Sequence, residues 1–137
     1  MGDVPAVIMR WLHLASMATL VGGFWFASLA LRAAAAALPP ESAATLSDKA
    51  AARFRPWVLI AMAALLVSGA YNVVAMPGHS ARYRAVLIIK LLLVAHVFAS
   101  GILALRPHNT RRVRQLTGAF ISGFVIILIS AYLRRIF

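Results

Sequence analysis

Cysteine is absent from this 137-residue chain, which excludes disulfides and any metal site built on thiolates. Acidic residues are nearly as scarce: three Asp and Glu stand against 14 Lys and Arg, for a net charge of +11. None of the three acids falls in a long apolar stretch. No intramembrane carboxylate is therefore available to neutralise a buried cation or relay a proton. Also lacking is any polar segment long enough to form a water-soluble domain.

What remains is apolar: 63% of the residues are hydrophobic and only 12% are charged. Four runs approach or exceed the roughly 20 apolar residues that a helix needs to cross a bilayer. They are Pro5 to Leu31, Trp57 to Met76, Arg84 to Leu105 and Leu116 to Leu133. The first is too long for a signal-peptide core and has no clear cleavage site, so it reads as retained. Short connections favour antiparallel neighbours. The expectation is an all-α integral membrane protein, an antiparallel four-helix bundle forming a single domain over residues 1–137.

The connections are marked by turn formers and cations. Pro39-Pro40 opens the first, where Ser42 is placed to cap a short amphipathic helix running through Asp48 or beyond, and Pro56 suits the first turn of the second span. Pro77-Gly78-His79-Ser80 makes the second turn, and Arg106-Pro107-His108-Asn109 the third. Basic residues gather at the ends of the apolar runs, as in proteins that set topology and meet anionic lipid, which argues against a nucleic-acid partner. Arg111, Arg112, Arg114, Arg134 and Arg135 read as such contacts. The first and third connections carry Arg32, Lys49, Arg53, Arg55, Arg106, Arg111, Arg112 and Arg114; the opposite side carries Arg10, Arg82, Arg84, Arg134 and Arg135. That excess predicts a cytoplasmic face for the first set and both termini outside. Gly22-Gly23, and Gly118 with Ser122, read as close-approach positions between helices.

The most informative residue is Lys90, alone in an apolar run broken otherwise only by His96, Ser100 and Gly101. An ionisable side chain at membrane depth is a functional-site hypothesis by default. Counting the helical rise from the outer ends puts His13 and Lys90 each about 12 Å deep, and His96 about 21 Å. Ser68, Tyr71 and Asn72 fall in the same half, so His13, Ser68, Tyr71, Asn72 and Lys90 are expected to share one polar layer, with Lys90 facing the bundle interior. The bland alternative is that these groups only bond neighbouring helices and specify packing.

Met9, His13 and Met17, spaced four apart, lie along one helix face. Thioether and imidazole are the ligands a thiol-free protein can offer Cu(I). Met76 and His79 flank the Pro77-Gly78 turn as a second soft pair. Methionine also fills gaps in apolar helices, so the stripe reads equally as packing. Haem b competes: His13 with His96 are candidate axial ligands at unequal depth, and His13 with Lys90 match in depth. His108 reads as a solvated loop residue.

Trp11-Leu12-His13-Leu14 followed by Val21-Gly22-Gly23 resembles the first helix of the copper-resistance D (CopD) membrane domain family. Arg53-Phe54 and later Ser68-Gly69-Ala70-Tyr71-Asn72 resemble its second helix, and Tyr83 with Lys90 its third. The resemblance implies copper handling at the bacterial inner membrane, and carries over to His13, Gly22, Gly23, Tyr71, Asn72, Tyr83 and Lys90 alone. This chain is one four-helix unit where larger members carry more helices, which argues against autonomous transport and leaves partner membrane subunits or a homo-oligomer open. A more distant likeness is to the membrane protoporphyrinogen-oxidase family, which also pairs a first-helix His with a third-helix Lys and is associated with haem. Apart from that likeness nothing in the residues points to an enzyme. Copper binding or passage is the leading expectation; a haem-b protein or subunit of a membrane redox complex is the alternative, and a structural subunit without ligand a third.

Overall fold

The computed structural model describes residues 3–75 and 80–135, and among them the chain is helical with no strand. Helix α1, Asp3–Phe26, runs through a π-helical turn, Ala27–Leu31, into the short α2, Arg32–Ala36. Helices α3 (Pro40–Val74), α4 (Ala81–Ala104) and α5 (Arg112–Leu133) follow. Four helical spans, the first comprising α1 with its extension through α2, are long and apolar enough to cross a membrane. Many large apolar side chains face outward, among them Trp11, Leu92 and Leu128 at 67–68% exposure. In water that surface would be untenable; in lipid it is the solvated face, with every helical backbone bond satisfied internally.

Local chemistry explains most helix ends. Pro40 stands at the start of α3 with Glu41 in its first turn, where a missing N–H and a negative charge both suit the helix. Ser80 caps α4, its hydroxyl accepting the Tyr83 backbone N–H at 3.1 Å. Asn109 organises the α4–α5 turn. Its amide donates to the Leu103 carbonyl and the Gln115 side chain, both at 2.7 Å, and its oxygen accepts from the Arg111 N–H. The separate amphipathic helix expected from Ser42 through Asp48 does not exist as such. It is the first part of a continuous 35-residue α3, and Pro56 lies inside that helix rather than in its first turn. Pro56 forgoes one ladder bond, which a single position in a long, packed helix tolerates.

The spans pack as two hairpins, α1 with α3 and α4 with α5, joined along α1–α5; α3 and α4 barely touch. Phe24 and Val58 are fully buried, and with Leu20, Met62, Ala104 and Ala119 they form the core, concentrated toward the end holding the α2–α3 and α4–α5 connections. Gly101 makes this possible: a Cβ there would lie 2.8 Å from the tip of Phe24 and 3.0 Å from the Met62 methyl. Gly23 likewise gives up its side-chain space to the Phe54 ring, whereas a Cβ at Gly22 would meet nothing. The expectation that both glycines mediate close approach therefore holds for Gly23 and is corrected for Gly22. Trp25 stacks on Phe120 at 6.0 Å and meets Phe124 edge-on, which binds α1 to α5.

At the connection end a buried cation ties the hairpins together. Arg112 was expected at the lipid–water boundary, but it is only 7% exposed. Its Nε donates to the Ala104 carbonyl at 2.8 Å, Nη1 to the Ser47 hydroxyl at 2.6 Å, and Nη2 to Asp48 at 2.6 Å and the Arg106 carbonyl at 2.8 Å. The correction has a simple cause: α3 extends past the membrane run far enough to present Ser47 and Asp48 to the start of α5. Asp48 also accepts the His108 backbone N–H at 3.3 Å and faces the His108 ring at 3.3 Å. His108 adopts a left-handed φ of 52°, a conformation that histidine tolerates better than most side chains, and this aims its N–H at the carboxylate.

The guanidinium of Arg112 holds the Asp48 carboxyl below the usual carboxylate range; partial burial opposes this and the His108 N–H reinforces it. A lowered folded-state value stabilises the fold above the ordinary value and loses that contribution as pH falls through the lowered one. Thermal stability is therefore expected to fall below about pH 4. Since only Asp3 and Glu41 are otherwise acidic, Asp48→Asn should flatten most of that slope. An unchanged acid profile in the variant would refute the assignment.

Candidate functional site

At the opposite end, nearer the termini, the core thins and a polar group takes its place. His13 on α1 is half-buried, and its Nδ1 lies 2.9 Å from the Oγ of Ser68 on α3, which is fully buried. Ser68 Oγ also lies 2.6 Å from the Ala64 carbonyl, within its own helix. A hydroxyl has one proton, and the carbonyl can only accept, so that proton goes to Ala64. His13 Nδ1 must then be the donor to Ser68. In the neutral imidazole this fixes the tautomer and leaves Nε2 as a bare lone pair. The His13 ring lies over Gly69, where a Cβ would meet it only at an ordinary 3.9 Å contact.

Lys90 on α4 is half-buried and close enough to His13 for their charges to interact. Of the expected polar layer, His13 and Ser68 bond directly between α1 and α3, and Lys90 lies within electrostatic range of His13. Tyr71 and Asn72, three and four residues beyond Ser68, share its face of α3 and are half-buried. Met9 and Met17 flank His13 one turn away on either side along α1 and are half-buried as well.

His96 is not part of this group. It is exposed, its Nε2 lies 3.5 Å from Ser100 Oγ, and it sits beside Gly118 of α5. Six residues separate it from Lys90, so the two point about 120° apart around α4. Met76 and His79, the second soft pair, lie outside the described residues. Among the described residues no three His, Asp or Glu side chains gather as a metal-binding cluster.

The arrangement offers one imidazole nitrogen, oriented by a buried hydroxyl, beside two thioethers and an ammonium. The nitrogen and thioethers suit a soft monovalent metal. The ammonium opposes a cation and suits an anionic group. Compared with protein-family models, curated proteins and solved structures, the chain matches none of them.

Two features escaped the sequence. One is the Arg112–Asp48 tie, for which the only signal was the rarity of acids: a lone Asp in a cation-rich stretch demands a partner, but eight cations were available. The other is the π-helical turn at Ala27–Leu31, for which no residue type gives a signal.

Proposed function

We propose that this chain binds or passes Cu(I) through a site centred on His13 Nε2, with Met9 and Met17 assisting. The observation that carries the reading is the His13–Ser68 hydrogen bond, which presents the unprotonated Nε2 on the helix face shared with the two methionines. Ordered outer partners of this kind are what keep a ligating imidazole in its binding tautomer. The resemblance of the Trp11–Leu14, Ser68–Asn72 and Tyr83–Lys90 motifs to the CopD family points the same way.

A second reading is favoured by one specific observation, the proximity of Lys90 to His13. A cation beside a candidate axial ligand suits haem b, with His13 holding the iron and Lys90 facing a carboxylate of the macrocycle. His96 does not supply the opposite ligand from within the same bundle. The two readings separate on the purified wild-type protein. Cu(I) loaded under reducing conditions should bind near one equivalent and leave the visible spectrum blank. A Soret band in the protein as isolated, with no copper uptake, would reverse the choice.

The setting is a bacterial inner membrane, with the connection end cytoplasmic and both termini outside. Arg112 is spent on Asp48, which leaves seven cations at that end against five at the other, still the bias that orients multi-pass proteins. A periplasm-active reporter fused after Phe137 should be active; activity of a cytoplasmic reporter there instead would invert the topology.

A further inference from the structure

The π-helical turn opens a cavity that the site above does not use. It lies between the first span and α3, closed at one side by Leu105 and by Arg112 and Leu116 of α5, has a volume of about 200 Å³, and reaches the surface beside Phe26, which is 65% exposed. That is larger than the roughly 150 Å³ of an engineered apolar cavity able to hold benzene. Its walls are Gly, Ala, Leu and Phe side chains, with two exceptions, Ser47 and Arg112. Those two bond to each other at 2.6 Å, so nothing polar in the wall calls for a ligand. The natural filler is hydrocarbon.

The chain flanking these wall residues is different in kind. Arg32 follows Leu31 of the wall, Lys49 precedes Ala50, Arg53 and Arg55 flank Phe54, Arg106 follows Leu105, and Arg111 precedes Arg112. All six cations are exposed. Of the two acids in this region, Asp48 is already held by Arg112, which leaves only Glu41. An apolar slot at a helix-bundle end crowded with exposed cations matches one occupant already present in a membrane.

We propose that this cavity seats one acyl chain of an anionic phospholipid, whose headgroup rests among Lys49, Arg53 and their neighbours. The π-helical turn has a role in this reading: its wider backbone shifts Ala27 and Leu31 out of α-helical register and keeps the slot open. The cations supply the headgroup selectivity.

The test is native mass spectrometry of the full-length protein in detergent, titrated with dioleoyl phosphatidylglycerol and dioleoyl phosphatidylcholine. Phosphatidylglycerol should bind roughly tenfold tighter than phosphatidylcholine. The double variant Lys49→Gln/Arg53→Gln, altered only at exposed positions, should lose most of that preference and keep phosphatidylcholine binding. Ala50→Phe, which fills the slot, should lose the tight adduct for both lipids. Equal affinity for the two lipids in the wild type overturns the proposal. So does an unaltered preference in the double variant, which also decides the matter if Ala50→Phe fails to fold. Dimers in place of lipid adducts, lost on Ala50→Phe, would assign the slot to a second copy of the chain.

Discussion

Arg112→Leu is expected to be the most destabilising single substitution in the molecule. It keeps the apolar volume and removes a guanidinium that donates to Ala104, Ser47, Asp48 and Arg106. The Ala104 carbonyl lies on a fully buried residue and has no water to turn to. That group alone costs roughly 1–3 kcal/mol. The melting midpoint in detergent should fall by about 5–10 °C. Arg112→Lys should recover little, because one ammonium cannot fork to acceptors on three segments. The control is Arg111→Leu, at the exposed neighbouring position, which should melt like the wild type. Equal melting of Arg112→Leu and Arg111→Leu would show that the buried network contributes nothing.

His13→Ala should abolish bound Cu(I), and Ser68→Ala should weaken it by about 10–100-fold without unfolding the protein. The second variant is the sharper one. It leaves His13 in place and removes only the acceptor of its Nδ1 proton, freeing the ring to rotate and to exchange tautomers. Nitrogen NMR of His13 should report a protonated Nδ1 and bare Nε2 in the wild type and a mixture in Ser68→Ala. Lys90→Met then divides the two proposed readings. Removing a positive charge beside a cation site should tighten Cu(I), whereas removing the partner of an anionic group should weaken haem retention. Ser68→Ala with unchanged copper affinity would leave the hydrogen bond as a packing contact only.

The four spans and their antiparallel order were legible because hydrophobic run length and proline-rich turns are local signals. The common level of His13 and Ser68 was legible too, since helical rise converts sequence position into height. What height does not give is azimuth. His96 and Lys90 lie on the same helix, yet Lys90 is half-buried and His96 exposed; nothing in the apolar run between them says so, because lipid and protein interior are equally apolar solvents for a leucine. Arg112 was misread for a related reason. One arginine among Arg111, Arg112 and Arg114 is buried, and which one depends on the meeting of α5 with residues 64 and 65 positions earlier in the chain.

That separation has a consequence for biogenesis. Asp48 emerges from the ribosome long before the cation that will bind it, and the α1–α3 hairpin can insert and pack with its carboxylate still hydrated at the membrane boundary. Completion waits for the fourth span, whose first turn brings Arg112. The tie therefore closes last: a chain lacking α5 has Asp48 in place and no Arg112 to bind it.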